Sequence, residues 1–237
     1  MSHPSFPLDR AFRSFRPLAA ALAASLTLLA HTGAQAVALT EPVSPANFAD
    51  TALPGTTAAA RPELAGTVLE DVITAFSFEG ITGTVQNRVV REAGSGTLDF
   101  YWKINVDRME PTVGVSAFRL TDFGYGNLTD ADWRIDGLGS VAPDTARLFS
   151  ESGQPGGSIN FLFDSAVNAG SQSRFFFLRT TATTYSQSAS FDLLGGPGQA
   201  LSPVYSTFAP AVPEPGAHAL VFTGLAAVAL LARRRRG

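Results

Sequence analysis

Gly96-Thr97-Leu98-Asp99-Phe100-Tyr101-Trp102-Lys103-Ile104-Asn105-Val106 is apolar at every second position. Successive side chains of a strand point to opposite faces, so a period of two sorts this stretch cleanly. Leu98, Phe100, Trp102, Ile104 and Val106 fall on one face, expected to be core. Thr97, Asp99, Tyr101, Lys103 and Asn105 fall on the other, expected to face water. Burying each of the larger apolar side chains stabilises a fold by about 1.5–3 kcal/mol. The stretch is therefore expected at the centre of a sheet.

The same alternation recurs on both sides. Val72, Thr74, Phe76 and Phe78 alternate before it, and Val85, Asn87 and Val89 follow the pattern more weakly. Val113, Val115 and Ala117 share one face while Phe118 and Leu120 take the other, which predicts a β-bulge near Ala117. Ile159, Phe161 and Phe163 form a short apolar strand, 174–181 an aromatic one, 185–193 an alternating one and 204–209 the last. Gly94-Ser95-Gly96, Gly137-Leu138-Gly139, Pro155-Gly156-Gly157 and Gly195-Gly196-Pro197-Gly198 punctuate these runs as turns. No segment of the body carries a sustained helical period. The expected fold is all-β: a single antiparallel β-sandwich in the jelly-roll or immunoglobulin-like range, over residues 65–209. Residues 37–64, rich in Ala, Thr and Pro without a period, read as a linker or loose arm.

Both ends of the chain carry a different signal. Arg10, Arg13 and Arg16 precede an apolar run from Leu18 to Ala30, and Ala34-Gln35-Ala36 has the small-x-small form of a cleavage site. Residues 1–36 thus read as a signal peptide handled by the general secretion machinery. At the other end, 210–237 hold Val212-Pro213-Glu214-Pro215-Gly216, an apolar run from Ala217 to Ala232, and Arg233, Arg234, Arg235 and Arg236. The prolines make the first part an extended hinge. The sixteen residues after it would rise about 24 Å as a hydrophobic helix, against a hydrocarbon core of roughly 30 Å. The arginines form a cytoplasmic stop.

This tail resembles the PEP-CTERM sorting signal of Gram-negative bacteria. The resemblance implies an exosortase as partner, processing near Pro213-Glu214-Pro215, transient anchoring in the inner membrane and delivery to the cell surface or extracellular matrix. By the same resemblance the surroundings are exopolysaccharide and biofilm. The body is also similar to an ectodomain carried by other PEP-CTERM proteins, through Gly96–Trp102, Ala146-Arg147 and the Ser-x-x-x-Phe-Phe-Phe-Leu-Arg-Thr of 171–180. No catalytic residue comes with that similarity.

Composition narrows the chemistry. Between Val37 and Val212 ten basic residues stand against eighteen acidic ones, a net charge of −8. Such a surface repels nucleic acid and sets that partner aside. Cysteine is absent, and the three histidines (His3, His31, His218) all lie in the two terminal signals. Ser-His-Asp and Cys-His catalysis and His-rich metal sites are therefore excluded from the body. Carboxylates remain. Asp122, Asn127, Asp130, Asp132 and Asp136 lie within fifteen residues in what reads as a glycine-bearing loop, and offer hard oxygen ligands for Ca²⁺. Their spacing misses the EF-hand pattern, and Asx side chains also cap turns. Asp107 with Glu110, or Asp122 with Asp130 and Asp132, would be the acids of a hydrolase acting on polysaccharide. Trp133 and Tyr125 are candidate stacking faces for a glycan, with Trp133 as a lid on the core the alternative. The leading expectation is a non-enzymatic surface or matrix protein without an obligatory cofactor; a carboxylate-dependent polysaccharide hydrolase is the rival.

Overall fold

The structure, a computed structural model, describes residues 37–39, 48–108, 114–124, 126, 128–149, 158–196 and 198–211. The signal peptide with Ala34 and Ala36, the motif from Val212 to Gly216, the apolar run behind it, Arg233 to Arg236, and Tyr125 lie outside these residues. Among the described residues there are twelve strands. In chain order they are β1 (Phe48–Ala52), β2 (Thr67–Phe78), β3 (Ile81–Arg91), β4 (Leu98–Arg108), β5 (Val115–Thr121) and β6 (Leu128–Trp133). There follow β7 (Thr145–Phe149), β8 (Ile159–Val167), β9 (Phe176–Thr180), β10 (Tyr185–Gly195), β11 (Ala200–Leu201) and β12 (Tyr205–Pro210).

They form two antiparallel sheets packed as a sandwich. One has the order β2-β3-β4-β9-β6; the other runs β1-β7-β8-β5-β10, with β11 and β12 both on the free side of β10. The 98–108 strand stands third of five, as its alternation predicts. β2 and β3 join through Glu79 (φ 45°) and Gly80 (φ 76°), between the paired residues Phe78 and Ile81. Two central residues with positive φ match the right-handed twist of a hairpin. The predicted bulge is present: the ladders of β5 with β8 and with β10 both slip between Val115 and Ala117.

The core is aromatic and joins the sheets. Trp102 of β4 lies 5.4 Å from Phe118 of β5, and Phe176 of β9 lies 4.6 Å from Phe161 of β8. Phe118 stacks on Phe191 of β10 at 5.0 Å. These side chains are essentially without solvent exposure. Contacts of this kind add about 0.5–1.5 kcal/mol per pair to what the buried area supplies.

Three expectations need correction. Residues 48–64 are not a loose linker. β1 pairs with β7 from Phe48↔Phe149 to Ala52↔Thr145, and Arg147 binds Asp50 through Nε and Nη2 at 2.6 and 2.8 Å. Thr56 then docks on the other sheet: its N–H donates to Trp133 O at 2.9 Å, and the Ile135 N–H donates to Thr56 O at 2.8 Å. A short 3-10 turn at Pro62–Leu64 follows, with Leu64 buried. This arm holds by backbone ladders and ion pairs, which leave no hydrophobic period to read.

Second, the face of β4 expected to be wet is partly covered. Asp99 is fully buried and Tyr101 nearly so. Leu64 closes over Val90, Tyr101, Phe175 and Phe177 as a second, smaller hydrophobic cluster. Third, the glycine-bearing acidic loop is in part a strand: β6 runs through Asp130 and Asp132 and pairs with β9.

Candidate functional site

Register places the outer side chains of β3, β4, β9 and β6 in rows. One row runs Val90, Asp99, Arg179, Asp130. The next runs Asp71, Arg88, Tyr101, Phe177, Asp132, beginning on β2. The 3-10 turn and the segment after β6 lie over these rows.

The first row is a buried ion network. Arg179 donates from Nε to Glu92 Oε1 at 2.6 Å and from Nη1 to Asp130 Oδ2 at 3.0 Å. Arg61 reaches the same Asp130 with both terminal nitrogens at 3.4 Å and donates from Nε to Glu63 at 3.0 Å. Asp99 sits beneath this group with no hydrogen-bond partner on either oxygen; the Arg179 Nε is 3.7 Å away. Burial above all, then the Glu92 charge, pushes the Asp99 carboxyl up to about 8. Glu92 goes the other way: burial works against its charge, but hydrogen bonds from Ser95 and Arg179 outweigh that and hold it below the usual range. The network clamps the arm to the sheet.

Glu110 and Asn127 lie outside the described residues, and the other carboxylates singled out in the sequence are dispersed or already engaged. Asp122 sits in the turn after β5 with φ 58°. Asp130 serves two arginines. Asp132 accepts from the Gly55 N–H at 2.7 Å and the Trp133 N–H at 2.9 Å. Burial nevertheless raises it to about 6. Asp136 accepts from Arg134 Nε at 2.7 Å and from the Ala58 N–H at 2.7 Å, and the Arg134 bond holds it low. Among the described residues no group of three or more acidic or imidazole side chains gathers to hold a metal ion. Trp133 packs against the main core and donates from Nε1 to Leu53 O at 3.2 Å. Its ring lies against Gly55, so it sits as a lid on the core rather than as an open stacking face.

A groove of about 430 Å³ opens beside the network, between Leu64 of the 3-10 turn and the 134–138 segment. Gln86, Arg88, Tyr101 and Phe175 line it from the sheet, Arg134, Asp136 and Leu138 from the segment, and Val68 from β2. Among the described residues the buried Arg88 Nε has no hydrogen-bond partner, and the buried Tyr101 O–H, beside the Arg134 guanidinium, has no acceptor. Arg134 acts on the phenol electrostatically, yet burial, followed by the Asp99 charge, raises Tyr101 well above its ordinary range. The Arg88 guanidinium lies 4.8 Å and Lys103 Nζ 5.2 Å from the Phe175 ring centroid. This arrangement offers donors and positive charge to a ligand rather than a nucleophile to a substrate.

The chain matches no protein-family model, no curated protein and no solved structure. The geometry of this face is therefore the ground for any functional reading of the body.

Sequence reasoning gave no site role to Arg88, Arg134, Phe175 or Arg179, the last two entering only within the 171–180 phrase. A signal was present: Asp99, Tyr101 and Lys103 alternate with the core of β4, and Asp130, Asp132 and Arg134 alternate with Ala131 and Trp133. Charges at strand period on two segments mark a polar face that something else must cover. Among the described residues no helix is long and apolar enough to cross a membrane; the run 217–232 lies outside them.

Proposed function

We propose that this chain is an exported cell-surface or extracellular-matrix protein, processed by an exosortase, whose non-catalytic β-sandwich associates with exopolysaccharide. The observation that carries this reading is the order of parts at the C-terminal end. β12 closes at Pro210, and Ala211 donates its N–H to Thr184 O at 3.0 Å. Val212-Pro213-Glu214-Pro215-Gly216 begins at the next residue, then the apolar run, then the four arginines. The sorting motif thus follows directly on Ala211, the last residue tied to the body by a described hydrogen bond. Export accords with the leader and with the −8 charge of the body.

The non-catalytic reading is favoured by the commitment of Asp130, Asp132 and Asp136 to arginines and backbone amides. Asp136 is also the one acid lining the groove, whereas glycoside hydrolysis calls for two carboxyls facing each other across a cleft. The test is fractionation of producing cells with an intact or deleted exosortase. Deletion, or replacement of Pro213, Glu214 and Pro215 by alanine, is expected to leave the full chain in the inner membrane. Unchanged release in both cases defeats the sorting proposal, and reducing-sugar release by the purified protein defeats the non-catalytic one.

A further inference from the structure

We infer that the groove on the outer face of the five-stranded sheet binds a carboxylate-bearing saccharide. Arg88 and Tyr101 take the carboxylate, and the carbon face of the sugar lies between Val68 and Leu138. The inference rests on the proposed association with exopolysaccharide and specifies its site and ligand class.

Three observations converge. The first is a shortage of acceptors. Arg88 spends Nη2 on Asp71 at 2.7 Å, but among the described residues its buried Nε has no partner and the buried Tyr101 O–H has no acceptor. Buried donors are nearly always satisfied, and leaving one unmade is costly, so two in the wall of one groove call for an acceptor from outside. The second is charge. Arg88 and Arg134 line the groove, and Lys103 shares the Phe175 ring with Arg88. The acids paired with these cations are Asp71 and Asp136, leaving one positive charge over on a body of net −8. Arg88 and Lys103 crowd a single ring, and burial together with Arg88 holds the lysine below its ordinary range. An anion relieves that crowding; a neutral or cationic ligand does not. The third is the rim. Val68 and Leu138 are 46% and 70% exposed, apolar surfaces at the rim of a groove whose wall also carries Arg88, Tyr101 and Arg134. A volume of about 430 Å³ lies in the range of small-ligand sites. A uronate ring has the required two sides, a carboxylate edge and a C–H face.

The test is calorimetric titration of the full-length chain in detergent micelles with trigalacturonate, and with uncharged cellotriose as comparison. Trigalacturonate is expected to bind at least tenfold more tightly than cellotriose. Tyr101→Phe, which removes one oxygen and keeps the ring, should weaken it about three- to tenfold. Arg88→Gln should weaken it more and flatten the salt dependence, with melting curves confirming that each variant is folded. Equal affinity for the two sugars overturns the inference. So does trigalacturonate binding that neither variant changes, which places the saccharide elsewhere and leaves the exopolysaccharide reading standing. If trigalacturonate does not bind while the producing cells' own polysaccharide does, this ligand class is wrong and the broader reading survives. If neither binds, both fall.

Discussion

Trp102 of β4 and Thr207 of β12 meet inside the core, the indole N–H donating to the hydroxyl at 2.9 Å from opposite sheets. Thr207 donates onward to Asn87 Oδ1 at 3.0 Å, and Asn87 Nδ2 donates to Thr74 at 3.2 Å. A chain of polar groups thus crosses the sandwich through otherwise apolar packing.

Thr207→Val keeps the shape and removes the hydroxyl, leaving the Trp102 N–H and the Asn87 carbonyl unpaired. Each stranded buried group costs about 1–3 kcal/mol, so a loss of roughly 2–4 kcal/mol is expected. Urea denaturation followed by Trp fluorescence measures it. A midpoint unchanged from wild type would mean the bridge contributes nothing.

Asp99→Asn should change how stability depends on pH. Folding raises the Asp99 carboxyl from 3.8 to about 8, so the native chain holds a proton that the unfolded chain releases over that interval. The unfolded state then binds fewer protons, and this group's contribution to stability falls as pH climbs from about 4 to about 8, levelling off beyond. Asp132, raised to about 6, acts with the same sign over a shorter window. Denaturation midpoints at pH 5 and pH 8.5 are to be compared, both above the range in which Glu92 titrates. The gain of the asparagine variant over wild type should be larger at pH 8.5 than at pH 5; equal gains would refute the assignment.

Arg179→Met removes the guanidinium that faces Glu92, Asp130, Glu63 and Asp99. Breaking a buried pair from one side typically costs about 3–5 kcal/mol because an uncompensated charge is left behind. Limited proteolysis should then cut first within 48–64, the arm this network fastens. Cleavage starting elsewhere would argue against that fastening role.

Gly55→Ala tests the same arm without touching a charge. The glycine has φ 79°, and an added Cβ would stand 2.4 Å from the Trp133 ring. Positive φ and the clash together should cost at least about 1 kcal/mol, and the fluorescence of Trp133 should shift as its ring is displaced. An unshifted spectrum with an unchanged melting temperature would mean that the arm does not pack there.

The sandwich was legible because its central strands are written in side chains. β4, β5, β8 and β10 alternate cleanly, and even the slip at Ser116 shows as a change of phase between Ala117 and Phe118. What the sequence concealed is held by other means. β1 reads Phe-Ala-Asp-Thr-Ala and owes its place to the β7 ladder and to the Arg147–Asp50 pair. The groove joins residues far apart in the chain, such as Arg88, Arg134 and Phe175, which only register brings together. Local spacing drew attention instead to the acids of 122–136. Their alternation along β6 turns Asp130 and Asp132 to the same face, where they hold arginines and the N-terminal arm.

The pairing of β1 with β7 has a consequence in time. Arg147 and Asp50 are separated by 97 positions along the chain, so pairing this edge closes a large loop. Contacts between remote segments are slow to form because the entropy of closing so large a loop is lost before any contact repays it. An edge strand joined across so long a loop adds non-local pairing to the sandwich, and so slows rather than speeds its assembly.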